Sequence, residues 1–289
     1  MTDSPESYKP PTSNSRPARK GLYILPSIFT AANIAAGYYA ISQAIQGTPA
    51  DPWHFDHAAK AIGFAILFDG LDGRIARLTN TTSAFGRELD SLADVIAFGI
   101  APAILAWLWG FRALPAMDDF ELRSQVIQFG AIATFIFLMA GAARLARFNI
   151  QVNPQPSNPG RPGKKYFVGM PIPAGAGVIA AIVHYAKGYP IPFWWFSIAW
   201  GVFVCLLSFL MVSTWRFFSF KELNLRRPLN FRWIIVFGGI IGLGWFFSRY
   251  VLFLIALVYT LAGILARLSF ILRRPTLPPP PPRDEASHA

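Results

Sequence analysis

Charge is scarce in this chain: 14% of its 289 residues are Asp, Glu, Lys or Arg, against 54% that are hydrophobic. So little polar surface excludes an ordinary soluble globule and leaves an integral membrane protein. Cysteine is nearly absent. The single one, Cys205, lies inside an apolar run, which rules out an internal disulfide and says nothing of the redox compartment. Acidic residues are outnumbered, 15 against 26 basic ones, for a net charge of +11. The basic residues flank apolar runs and form no separate basic domain. The charge therefore points to anionic membrane lipids and phosphate-bearing substrates, not to nucleic acid. No cleavable signal peptide is expected, because a polar, proline-rich stretch precedes the first apolar run, which should remain as an anchor.

What the chain does have is one acidic stretch, FDGLDGRIARLTNTTSAFGRELDSLADVIAFG, set between apolar runs. It holds Asp69, Asp72, Asp90 and Asp94, and unpaired carboxylates at a membrane boundary are too costly to keep without a use. Asp69 and Asp72 are three apart and Asp90 and Asp94 four apart, so each pair projects from one face if it lies on a helix. The polar TNTTSAFG between them suits a turn, and the resulting hairpin aims four carboxylates at one volume. Four hard oxygen ligands that close together call for divalent cations, and a two-metal site of magnesium, manganese or calcium is the natural reading. Gly73 and Ala76, one and two turns along from Asp69, leave a floor almost without side chains for a ring or a sugar. Arg77 adds a cation for the phosphates of such a ligand. Ser83 either donates to a phosphate or caps the third helix. The plainer alternative is that the acids cap helices and pair with Arg74, Arg77 and Arg87.

The pattern DxxDGxxAR, eight residues, GxxxDxxxD, carried by Asp69, Asp72, Gly73, Ala76, Arg77, Gly86, Asp90 and Asp94, resembles the signature of the CDP-alcohol phosphotransferase family without a departure. The resemblance implies that the four aspartates hold two divalent metal ions, Mg2+ or Mn2+. It also implies that Asp94 acts as catalytic general base, that the small residues receive the cytidine of a CDP-linked substrate, and that the protein is a homodimer. RKGLYILPSIFTAAN, RLARFN, KKYFVGMPIPAGAG and LMVSTWRFFSFK look like the serine-using branch of the family. That branch implies CDP-diacylglycerol as donor, L-serine as acceptor, and phosphatidylserine and CMP as products. Its first helix also carries a Pro, Thr and Asn pattern, which makes Thr30 and Asn33 candidates for donor-lipid contact, with bonding to a neighbouring helix as the alternative. Rival readings are a sister enzyme using glycerol 3-phosphate, inositol phosphate or another alcohol, and a cation or lipid transporter.

In chain order, residues 1–19 read as a disordered tail, 20–273 as the transmembrane domain and 274–289 as a proline-rich disordered tail. The domain reads as an all-α bundle of about eight spans, six to eight, near residues 21–43, 57–78, 86–111, 120–148, 174–187, 193–213, 233–247 and 251–266. The last two look short for a full crossing. His54, Asp56 and His57 in DPWHFDH read as exposed interfacial residues, and the acids of LPAMDDFELR as caps of the fourth span. Arg144 and Arg147 share a helical face and, with Lys164 and Lys165, are candidates for binding a phosphate or the serine carboxylate. With a cytoplasmic N-terminus, the great majority of Lys and Arg fall on the cytoplasmic side. The positive-inside rule thus favours a multi-pass protein of the cytoplasmic membrane whose aspartates face the cytoplasm.

Overall fold

In this computed structural model the described residues are 24–79, 84–115, 117, 119–150, 166–218 and 247–272. Both terminal tails, Ser83, Lys164, Lys165 and residues 233–246 of the expected seventh span lie outside them. Of Asp72, Gly73, Ala76 and Arg77 only the helical backbone is described.

Among the described residues seven helical rods follow one another: α1 Ile24–Gln46, α2 Trp53–Thr79, α3 (described below), α4 Phe120–Ile150, α5 Ile172–Tyr185, α6 Trp194–Val212 and α7 Ser248–Leu272. Among the described residues four segments, Phe85–Arg112, Phe120–Ile150, Trp194–Val212 and Ser248–Leu272, are long and apolar enough by length and composition to cross a membrane. The protein is an all-α membrane protein. The helices end where their sequences dictate. Asp119 Oδ1 accepts the Leu122 N–H at 2.9 Å and caps α4, as its position predicts. Helix α5 stops where Lys187 and Gly188 take positive φ, 57° and 76°.

Helix α3 is one rod with two changes of pitch. An α-helical part, Ala84–Asp94, passes into a π-helical part, Val95–Ile100, then α-helix again, Ala101–Trp107, and a terminal π turn, Leu108–Arg112. Pro102 explains the first widening. It has no N–H to give to Phe98, and its ring crowds that carbonyl, so the preceding turn opens and Ala101 N–H reaches back five residues to Ile96 O. Carbonyls near the second widening are taken up by α6, since Trp200 Nε1 donates to Ala106 O at 3.1 Å and Ser197 Oγ to Gly110 O at 2.6 Å.

The core lies between the rods, with Phe55, Ile62, Phe98, Leu105, Phe111, Phe137 and Leu207 sealed from the surface. Small residues let backbones approach, as expected where lipid supplies no hydrophobic drive between helices. A Cβ on Gly37 of α1 would stand 2.9 Å from Ala97 Cα of α3, and one on Gly130 of α4 would strike the Phe111 ring at 2.2 Å.

Two features depart from the expectations. Helix α7 runs for 25 residues, about 37 Å at 1.5 Å per residue, and is not short. The hydropathy reading stopped at polar residues that the helix includes. Asp56 is buried rather than exposed: Oδ1 meets His184 Nδ1 at 2.5 Å, Oδ2 meets Lys60 Nζ at 2.7 Å, and His184 Nε2 meets Ser248 Oγ at 2.9 Å. This network ties α2, α5 and α7 together at the end of the bundle away from the motif. Asp56→Ala is expected to cost about 3 kcal/mol, because it leaves Nδ1 of the buried His184 without its partner. Thermal unfolding in detergent would register the loss, and an unchanged midpoint would refute it.

A short ribbon was not foreseen. Strands β1, Tyr166–Val168, and β2, Arg216–Phe218, pair antiparallel with Phe167 opposite Phe217. Gly169, at φ 77°, closes it by donating to Trp215 O at 2.8 Å. Arg147 at the end of α4 fastens the ribbon, donating through Nη1 to Val212 O at 2.9 Å and through Nη2 to Val168 O at 3.3 Å.

Candidate metal and substrate site

The hairpin of α2 and α3 sets the heights of its acids. Asp69 lies ten residues before the end of α2 at Thr79, and Asp94 ten residues after the start of α3 at Ala84. They are brought side by side, with Asp90 one turn nearer the hairpin tip. Asp69, Asp90 and Asp94 each offer a carboxylate oxygen, and the three atoms lie within 4.8 Å of one another. Two unit charges at that separation repel by on the order of 3 kcal/mol at an effective dielectric of about 20, so a bare cluster is costly. Burial raises the stakes. Asp94 is 9% exposed, and Asp90 Oδ1 is buried with no hydrogen-bond partner among the described residues. An all-oxygen, all-anionic donor set with a lone pair turned inward fits a hard divalent cation.

Helix α1 forms the wall beside this cluster. Its contact with α3 at Gly37 and Ala97 fixes the register, and one turn back toward the acids Asn33 stands level with Ala93 and Asp94. The contact of Gly47 with Phe55 gives the same answer for α2. Fourteen residues along each helix from it lie Asn33 and Asp69. Thr30, one turn further, stands level with Asp90. Both side chains are buried, Asn33 completely, and neither amide atom of Asn33 has a hydrogen-bond partner among the described residues.

The two arginines of α4 separate. Arg144 is 8% exposed and within electrostatic reach of Asp94, and its Nε has no hydrogen-bond partner among the described residues. Arg147 is spent on the carbonyls of Val168 and Val212. Helical spacing put both on one face, but could not say which one meets backbone. Asn149 Nδ2, just beyond them, donates to Ser91 Oγ at 3.0 Å and holds α4 to the start of α3. Tyr259 of α7 was not anticipated. It comes within electrostatic reach of Arg144 and packs on Phe217 of the ribbon, with ring centroids 5.8 Å apart. The one signal for it in the sequence is a polar pair, Tyr259 and Thr260, inside an apolar run.

Residues 23–212 match the model of the CDP-alcohol phosphatidyltransferase family. Two bacterial proteins named CDP-diacylglycerol-serine O-phosphatidyltransferase are similar over much of the chain. The one from Helicobacter pylori strain 26695 is 37% identical over 209 residues, 70% of this chain and 75% of its own length. The one from Mycobacterium leprae is 34% identical over 213 residues, 70% and 61%. A protein of the same name from Saccharomyces cerevisiae is 35% identical over 156 residues, 54% and 51%. By the family match over most of its length and by these identities, the chain belongs to the CDP-alcohol phosphatidyltransferase family.

Proposed function

We propose that this protein transfers the phosphatidyl group of CDP-diacylglycerol to the hydroxyl of L-serine, giving phosphatidylserine and releasing CMP. The observation that carries the reading is the convergence of Asp69, Asp90 and Asp94 within 4.8 Å on a hairpin bearing the family pattern. The names of the relatives support serine as acceptor.

In this mechanism Asp69, Asp72, Asp90 and Asp94 hold two divalent ions, magnesium or manganese. Bound there, such ions supply Lewis-acid stabilisation to a diphosphate and to a departing phosphate oxygen. The chain supplies the rest. Gly73 and Ala76 give the cytidine a flat floor, with Arg77 and Ser83 for the phosphates. Asp94 accepts the proton of the serine hydroxyl as that oxygen bonds to the lipid-linked phosphorus. The bond from this phosphorus to the oxygen bridging to the second phosphate breaks, and CMP leaves with the electron pair. Arg144 receives the serine carboxylate, being buried, close to Asp94 and not committed as Arg147 is. Lys164 and Lys165 remain further candidates for that charge. The active site faces the cytoplasm, where CDP-activated lipid and serine meet, and two copies of the chain form the working unit.

The deciding experiment gives the purified protein CDP-diacylglycerol and a panel of alcohols, with and without chelator. Chelator-sensitive CMP release with L-serine is expected. Release with glycerol 3-phosphate but not serine would replace this reading with that of a sister enzyme. Arg144→Ala is expected to raise the KM for serine about tenfold to a hundredfold, the loss of one charge-assisted hydrogen bond, with the KM for CDP-diacylglycerol little changed. Equal loss for both substrates would move Arg144 to the diphosphate.

A further inference from the structure

We infer that Asn33 reads the acceptor. Its buried amide receives the amino-acid end of the molecule whose hydroxyl is phosphatidylated, the carbonyl oxygen accepting from the ammonium and the amide nitrogen donating to the carboxylate. This rests on the phosphatidyltransferase reading above and names the group that selects a small zwitterionic alcohol.

The first argument is satisfaction. Asn33 is 0% exposed, and neither Oδ1 nor Nδ2 has a hydrogen-bond partner among the described residues. A buried amide left wholly unmatched is among the costliest polar groups a core can hold, and a polar ligand at that spot removes the cost. The second is position. Asn33 stands level with Asp69 and with Asp94, the proposed base, whereas Gly73 and Ala76 lie about 6 and 10 Å further along α2 at 1.5 Å per residue. The nucleotide floor is thus toward the hairpin tip, and Asn33, level with the proposed base, is at the end away from that floor, where the attacking hydroxyl has to be. The third is charge. No acidic or basic residue occurs anywhere in the 23 residues of α1. This wall gives a phosphate-bearing alcohol no cation of its own, while a zwitterion needs one donor and one acceptor, which a single amide provides. Across the cluster, Arg144 supplies the remaining positive charge.

Asn33→Leu tests this with two readouts. Leucine has the same number of side-chain heavy atoms as asparagine, branched at the same carbon, and carries no polar atom. If the amide is kept for a ligand, the empty protein gains or keeps thermal stability, because removing an unmatched polar group of the same shape does not destabilise. The KM for L-serine then rises about tenfold to a hundredfold, while the KM for CDP-diacylglycerol stays within about twofold. Asn33→Ala gives the same kinetic split should the leucine variant fold poorly. A serine KM unchanged in both variants overturns the inference. So does a rise confined to CDP-diacylglycerol, which would return Asn33 to the donor site. A lower melting temperature with both KM values unchanged would make the amide structural and overturn it too. Wild-type protein that releases CMP with another alcohol and not with serine would defeat the serine reading instead, and the same comparison made with that alcohol then decides on Asn33.

Discussion

Asp94→Asn is expected to lower CMP release from CDP-diacylglycerol and serine by about 10²–10⁴-fold, the range associated with loss of a general base. Asparagine keeps the shape of the side chain and an oxygen ligand. It removes the negative charge and the ability to take a proton. Asp69→Asn and Asp90→Asn test a different loss. Each takes one charge from a set of three oxygens within 4.8 Å, so divalent-ion affinity falls along with activity, and raising the ion concentration recovers part of the rate. For Asp94→Asn the same titration recovers less, because extra ion does not restore a base. A chelator is expected to abolish wild-type turnover, and added Mg2+ or Mn2+ to restore it. Wild-type rates for Asp94→Asn together with indifference to chelator would end the proposal for this site.

Gly37→Leu is expected to be nearly as damaging, although glycine has no chemistry to offer. A Cβ at this position would stand 2.9 Å from Ala97 Cα, 3.1 Å from its Cβ and 3.2 Å from its N. Two are backbone atoms and the third is the fixed methyl carbon of alanine, so no side chain can swing away, and α1 must move off α3. Overpacking of this kind costs about 1–3 kcal/mol. The functional loss is larger, because Asn33 and Asp94 lie one turn away across the same contact. A displacement of about 1 Å in a reacting constellation is enough for a hundredfold loss. Gly63→Leu is the matched control, since a Cβ there meets nothing within 4 Å. Equal activity for the two variants would show that the approach of α1 to α3 does not govern the site.

The approach of Asp69, Asp90 and Asp94 was legible in the sequence because helical spacing and a polar turn leave them few other places to go. Asp69 and Asp94 are at matched distances from the hairpin, and counting residues finds that. The ribbon was not legible. Its strands have three residues each and lie some fifty positions apart, the first behind a proline- and glycine-rich stretch of sequence, so neither carries a period to detect. The fate of Arg147 was hidden for a related reason. A helical face can be read from spacing, but the carbonyls of Val168 and Val212 come from elements whose approach only the fold reveals. Asp56 misled because it stands in a short polar connection beside two histidines. Its partner, His184, is 128 residues away. Helix α7 was underestimated because hydropathy fades at Ser248 and Arg249 while backbone hydrogen bonding does not.

The widened turn at Val95–Ile100 has a further consequence for how the chain tolerates insertion and deletion. A π turn takes up one residue more per revolution than an α turn, so the stretches on either side of it keep nearly the phase of an uninterrupted helix. Removing one residue there would let the turn relax to ordinary pitch and leave Asp90 and Asp94 on the same side of the rod. Removing one from the regular α-helical stretch Ala101–Trp107 would instead turn everything on one side of the cut by about 100°. A chain shortened at the wide turn should therefore fold, insert and bind cations as the full chain does.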